Sequence, residues 1–104
     1  MDVRFSDAFM DSVKKHAALK SAVQKKVDMI MVNPVRMGEP LKGNFRGYYS
    51  CPVKKNFIII YLYCLVCRRK KDQVIVLCHD CQACGDETIK FIALGPQDKA
   101  YRKE

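Results

Sequence analysis

The sequence predicts an α+β domain in which two N-terminal helices pack on a small antiparallel sheet, with a cysteine-rich, zinc-binding hairpin inserted near the sheet's end. Three observations lead there. Apolar residues recur at helical spacing up to Met31, fall into strand-like runs from Tyr48 onward, and are interrupted by closely spaced cysteines after Tyr63. A chain of 104 residues supports one core, so residues 1–104 are read as a single domain with 64–86 as the insertion.

The opening Asp2 to Phe5 reads as a short strand, and Ser6 or Asp7 is placed to cap a helix. Phe5, Phe9, Val13 and Ala17 form one apolar face, and Leu19, Val23, Val27, Ile30 and Met31 continue it. Lys20, Gln24, Lys25, Lys26 and Asp28 take the other side. This is one helix bent near His16 to Ala18 or a helical hairpin; no glycine or proline marks the joint. Pro34 ends it, since a residue before proline avoids the helical region.

The fifteen residues from Asn33 to Gly47 hold three glycines and two prolines, so no regular element is expected there. Tyr48 to Val53 is a candidate strand that Pro52 assigns to an edge. Phe57 to Leu65 is the strongest strand, with Gln73 to Cys78 and Thr88 to Leu94 as two more. Gly95 and Pro96 are expected to stop the last one. An all-antiparallel sheet follows from the short connections, which leave no room for crossover helices.

Composition narrows the function. A formal charge of +8 and a pI near 9.3 point to a polyanion or an acidic partner. The charge is uneven: Lys42 to Lys71 holds eight basic residues and no acidic one, whereas the first 32 residues carry six basic and four acidic side chains. No secretory signal is expected at the N-terminus, and the Phe57 to Val66 run is too short for a membrane-spanning helix, so the expected compartment is the cytoplasm. There six cysteines read as metal ligands with a spare thiol.

Cys64 and Cys67 form one C-x2-C pair; Cys78, Cys81 and Cys84 form two overlapping ones. Two such turns facing each other supply the tetrahedral thiolate set that zinc prefers. Cys64, Cys67, Cys81 and Cys84 are the favoured ligands because Gly85 permits a tight turn after Cys84; Cys78 is the rival ligand. Four thiolates leave no open position, so the zinc would be structural, and no catalytic metal or small-molecule cofactor is expected. The set can also be read as plain thiols. Cys51, beside Pro52, is read as a half-buried free thiol.

With these segments placed, the chain resembles the RelE/ParE superfamily of bacterial and archaeal toxins from type II toxin-antitoxin systems. The resemblance rests on a helical N-terminal third ending in Asn33-Pro34, the Gly38-Glu39-Pro40-Leu41-Lys42-Gly43 turn, Arg46-Gly47-Tyr48-Tyr49-Ser50, the strand from Phe57 to Tyr61, and the run from Ile92 through Gly95-Pro96-Gln97 to Tyr101 and Arg102. It covers nearly the whole chain outside the cysteine insertion. It implies a microbial RNase-like fold, mRNA cleavage in the ribosomal decoding site, and a small cognate antitoxin that covers the active surface.

Cleavage of this kind is attack of a ribose 2′-hydroxyl on the adjacent phosphodiester, which needs a proton acceptor, cations on the phosphorane and a donor to the leaving oxygen. The resemblance places a basic residue or histidine on the central strand and another after the glycine of the last strand. This sequence has Ile58 and Gln97 there, and neither exchanges a proton near neutral pH. Tyr101 falls where the family tyrosine falls. The catalytic candidates are therefore Lys54, Lys55, Arg46, Gln97 and Tyr101: Lys54 or Lys55 on the scissile phosphate, Arg46 on a neighbouring one, Gln97 as a hydrogen-bonding group and Tyr101 against a base or phosphate. Lys42, Arg68, Arg69, Lys70, Lys71 and Arg102 are candidate RNA contacts, for which ordinary solvated charge is the plainer account. His16 is read as a surface residue and His79 as part of the insertion.

Two functions follow from the resemblance: an mRNA-cleaving toxin neutralised by an antitoxin, or a non-catalytic toxin relative or ParE-like gyrase-binding toxin that acts by protein binding. The departures at Ile58 and Gln97 favour the second more than the fold does. A stand-alone zinc-ribbon module would leave the helices and the last strand without a purpose.

Overall fold

The computed structural model describes residues 2–41, 47–54, 57–65 and 87–96. The chain opens with β1 (Asp2–Phe5) and turns at once into α1 (Asp7–Lys15). Ser6 makes that corner. Its hydroxyl accepts from the Phe9 N–H at 3.0 Å and donates to the Ile92 carbonyl at 2.6 Å, and its own N–H donates to the Phe91 carbonyl at 3.0 Å. The helix start is thus capped and tied to the last strand by one residue. Asp7 in the first turn and Lys14 and Lys15 in the last match the helix dipole.

The joint left open by the sequence is a single 3-10 turn, Ala17–Leu19, leading into α2 (Lys20–Val32). Here α2 buries Val23, Val27 and Ile30, and it ends before Pro34 as expected. The next residues depart from expectation. Asn33 accepts from the Arg36 N–H at 3.3 Å and caps a one-turn helix, α3 (Pro34–Met37). Proline has no N–H to lose at the first helical position and its φ already suits a helix, so one residue ends α2 and begins α3.

After Gly38 come β2 (Glu39–Pro40), β3 (Tyr49–Lys54), β4 (Phe57–Tyr63) and β5 (Thr88–Pro96). Gly47, with φ of 99°, makes the left-handed bend before β3. The sheet order is β1-β5-β4-β3-β2. Neighbours are antiparallel except β1 and β5, which run parallel, Asp2 opposite Thr88 through Phe5 opposite Phe91. The expectation of an all-antiparallel sheet is corrected: the first and last strands pair, and everything between them forms the long connection that a parallel pair requires. Pro52 is at an edge, because β2 covers only Tyr49 and Ser50 of β3.

A second correction concerns the end of β5. Gly95 and Pro96 do not stop the strand; they pair with Ile58 and Phe57. A bulge at Ile92 shifts the register, since Ala93 faces Ile60 while Phe91 faces Tyr61.

The core has two layers. Phe9 of α1 and Val23, Val27 and Ile30 of α2 pack with Tyr49, Cys51, Phe57, Ile59, Tyr61, Tyr63, Ile89, Phe91 and Leu94 on one face of the sheet. Phe5 stacks on Phe91 at 5.3 Å between ring centroids, and Tyr49 on Tyr61 at 5.5 Å. On the other face Tyr48, Ile58, Ile60, Leu62 and Cys64 form a second buried cluster. Every residue of β4 is therefore buried, which explains the unbroken apolar run in its sequence. Among the described residues no helix is long and apolar enough to cross a membrane.

Candidate functional site

Two strand pairings fix the end of the sheet where the RNA chemistry is expected. Lys54, the last residue of β3, lies opposite Phe57, and on the other side of Phe57 lies Pro96, the residue before Gln97. With strands about 4.8 Å apart, the Lys54 and Pro96 backbones are about 10 Å from each other. Lys54 is exposed, and a register shift between Pro52 and Lys54 turns the strand end. Of the five catalytic candidates, Lys54 is the one within the described residues. Arg46, Lys55, Gln97 and Tyr101 lie outside them, as do Lys42, Arg68, Arg69, Lys70, Lys71 and Arg102.

One step inward from this row, Ile58 lies opposite Gly95. Ile58 is buried on the face away from the helices, beside Tyr48 and Ile60. A Cβ built on Gly95 meets nothing within 4 Å, so the sheet surface is open above that position. The position expected to carry a basic group thus carries a packed aliphatic side chain beside open space.

Behind the row, on the helix face, is a residue the sequence reading missed. His16, expected at the surface, is half-buried and meets the Phe57 ring edge-on at 4.9 Å. It occupies the C-cap of α1, with its N–H on the Ser12 carbonyl. The signal was its place at the helical joint, which had to face the strand that the joint crosses.

Deeper on this face, Tyr61 donates to the Pro34 carbonyl at 2.5 Å. Burial, with smaller contributions from Cys51 and Tyr49, pushes its ionisation well above the usual tyrosine range, so it stays a neutral donor. Burial likewise raises the Cys51 thiol, against a lowering pull from Lys26. Cys51 was expected to be half-buried; it is fully buried against the helices. Cys64 is buried in the opposite cluster, so the two thiols are on different faces of the sheet.

Cys64 follows directly on β4, at the start of helical backbone over 64–65. The other cysteines expected in the metal set, Cys67, Cys81 and Cys84 with Cys78 as rival, lie outside the described residues, as does His79. Among the described residues there is no group of three or more potential metal ligands. Two buried polar residues were not singled out from the sequence: Thr88, fully buried, and Lys90, 6% exposed, both on β5. Their place in an alternating strand, opposite the end of β4, was the available signal.

Compared with solved structures, the whole architecture is that of a toxin fold. The chain is similar to YafQ from Escherichia coli strain BL21(DE3) at 16% identity and a TM-score of 0.67, over 97% of this chain and 98% of that one. A copper-bound mutant toxin from Helicobacter pylori matches at 13% identity and 0.65, over 97% and 99%. A chain of the toxin-antitoxin complex RelBE2 from Mycobacterium tuberculosis matches at 15% and 0.61, over 91% and 95%. These likenesses show the fold, which this chain shares with the solved toxins. No protein-family model and no curated relative matches the sequence.

Proposed function

We propose that this chain is the toxin of a type II toxin-antitoxin pair, a ribosome-associated endoribonuclease that acts on mRNA in the cytoplasm and is neutralised by a small cognate antitoxin. The observation that carries the reading is the match, over 91–97% of this chain, to toxins whose solved structures include complexes with antitoxins. The excess of positive charge suits both states: RNA when active, an acidic antitoxin segment when inhibited.

In this reading the 2′-hydroxyl oxygen attacks phosphorus and loses its proton to water, the bond to the 5′-oxygen breaks, and that oxygen takes a proton from water, leaving a 2′,3′-cyclic phosphate and a 5′-hydroxyl. Lys54, with Lys55 beside it in sequence, supplies positive charge to the phosphate, and Arg46 contacts a neighbouring one. Gln97 positions by hydrogen bonds, and Tyr101 stacks on a base or orients the phosphate. With Ile58 apolar, the rate enhancement rests on charge stabilisation and positioning more than on proton transfer.

A second reading keeps the fold and the antitoxin but drops the chemistry: a non-catalytic relative, or a ParE-like toxin acting on gyrase. The burial of Ile58 at the expected basic position favours it. Regulated expression separates the two. Growth arrest with mRNA cleavage that is lost in Lys54→Ala supports the nuclease; growth arrest with intact mRNA supports the binding toxin. A neighbouring reading frame encoding a small protein with an acidic C-terminal segment, whose co-expression restores growth, is expected in either case.

The proposal includes a structural zinc on Cys64, Cys67, Cys81 and Cys84, with Cys78 in place of Cys84 as the alternative. Its support is the donor set: soft thiolates in C-x2-C spacing, with Cys64 buried just after β4. Zinc there would hold the insertion and the basic run from Arg68 to Lys71 without entering the reaction.

A further inference from the structure

Ile58 and Gln97 occupy the two positions where the resemblance places a basic residue or histidine, so water is left to take the 2′-hydroxyl proton. The corner around Phe57 holds a better acceptor. His16 sits at the joint between α1 and the 3-10 turn, half-buried, with its ring edge-on to Phe57 at 4.9 Å between centroids. The joint fixes its backbone from both sides: its N–H donates to the Ser12 carbonyl at 3.0 Å, and its carbonyl accepts from the Leu19 N–H at 2.8 Å. Phe57 is 7% exposed and belongs to the helix-side core, so the ring against which the imidazole rests is itself held in place.

Lys54 approaches the same ring from the sheet. It pairs with Phe57, and paired residues on neighbouring strands share a face, which for Phe57 is the helix side. Val53, the residue left over at the register shift, also packs on that side. Paired Cβ atoms stand about 5 Å apart, so the exposed Lys54 and the half-buried His16 are each one contact away from Phe57.

Electrostatics favours an anion here. The elements that meet at this corner carry Lys14 and Lys15 in the last turn of α1, Lys20 at the start of α2 and Lys54 at the end of β3. No acidic residue occurs from Ser12 to Val27, from Pro40 to Phe57 or from Thr88 to Pro96. Such a corner attracts a phosphate and offers no carboxylate to compete for the imidazole. Neither ring nitrogen of His16 has a hydrogen-bond partner among the described residues.

We propose that His16 is the proton acceptor of the cleavage reaction, working beside Lys54. This rests on the nuclease reading and puts an imidazole where that reading has water. Lys54 holds the scissile phosphate over Phe57, against the imidazole. The neutral ring accepts the 2′-hydroxyl proton on a nitrogen lone pair as the 2′-oxygen bonds to phosphorus. The bond from phosphorus to the 5′-oxygen breaks, and that oxygen takes a proton from water. The imidazolium then gives its proton to the hydroxide left behind, which restores the starting state.

Single-turnover cleavage of end-labelled mRNA on programmed ribosomes, measured from about pH 5.5 to about pH 8.5, tests this with wild type, His16→Gln and His16→Ala, alongside the thermal midpoint of each. Both variants are expected to cleave about 10²- to 10⁴-fold more slowly, with midpoints close to wild type. The wild-type rate should rise with pH through neutrality, that rise should vanish in His16→Gln, and added imidazole should restore part of the rate to His16→Ala. Wild type that leaves ribosome-bound message intact overturns the nuclease reading and this inference together. Cleavage by His16→Gln at the wild-type rate, with the wild-type pH profile, overturns this inference alone. So does a loss of rate in His16→Ala that imidazole does not repair while the thermal midpoint falls, since that marks a purely structural role.

Discussion

At the scale of single residues, Tyr61 shows how tightly the helix side of the sheet is fixed. Its hydroxyl donates to the Pro34 carbonyl, its ring stacks on Tyr49, and it is fully buried. Tyr61→Phe should cost about 1–3 kcal/mol in urea denaturation, because the buried carbonyl loses its donor. Gly38 explains its own identity through the same side chain. Its φ of −127° is ordinary, yet a Cβ there would collide with the Tyr61 hydroxyl and come within 2.9 Å of the Ser50 carbonyl. Gly38→Ala should therefore destabilise by about 1–3 kcal/mol, whereas Gly95→Ala, which meets open space, should fall within about 0.5 kcal/mol of wild type.

Burial of Tyr61 and Cys51 also sets an alkaline limit. Both have folded ionisations above their ordinary values of 10.0 and 9.0, so the native state keeps protons that the unfolded chain releases. The associated stability is present below pH 9 and is lost as the pH rises through 9 and 10 and beyond. Denaturation midpoints measured from pH 8 to 11 should fall, and the fall should be shallower in a Cys51→Ala, Tyr61→Phe protein.

At the scale of elements, Ser6 joins three: the end of β1, the start of α1 and the carbonyls of Phe91 and Ile92 on β5. Ser6→Ala removes the cap and the bond to Ile92, and should lower stability by about 1–2 kcal/mol, read from the thermal midpoint. What the sequence made legible here was periodic. The four-residue spacing of Phe9 and Val13 and of Val23 and Val27, and the unbroken run from Phe57 to Tyr63, became the helices and the central strand. What escaped was set by long-range pairing. Nothing local in Asp2 to Phe5 says that it pairs parallel to Thr88 to Phe91, and nothing in Gly95-Pro96 says that Phe57 and Ile58 will hold them in the sheet. Asn33-Pro34 was read as a stop, and it is also a start, because cap and first-turn proline use the same two residues.

At the scale of the molecule, the order of segments was enough to suggest the fold, and the solved structures share its α+β arrangement of helices on a five-stranded sheet. The site was less legible. Lys54 could be placed by its strand, whose end forms a row with Phe57 and Pro96. The burial of Lys90 and Thr88 was not legible beforehand because it depends on the pairing of β5 with β1 and β4. The cleavage claim can be tested on its chemistry. Purified protein is incubated with programmed ribosomes and end-labelled mRNA, and the fragment ends are identified. Cleavage by a 2′-hydroxyl leaves a 2′,3′-cyclic phosphate and a 5′-hydroxyl, and the account expects both on ribosome-bound message, with the rate falling at least about tenfold in Lys54→Ala. Message that stays intact on the ribosome, from protein that still arrests growth, would contradict it.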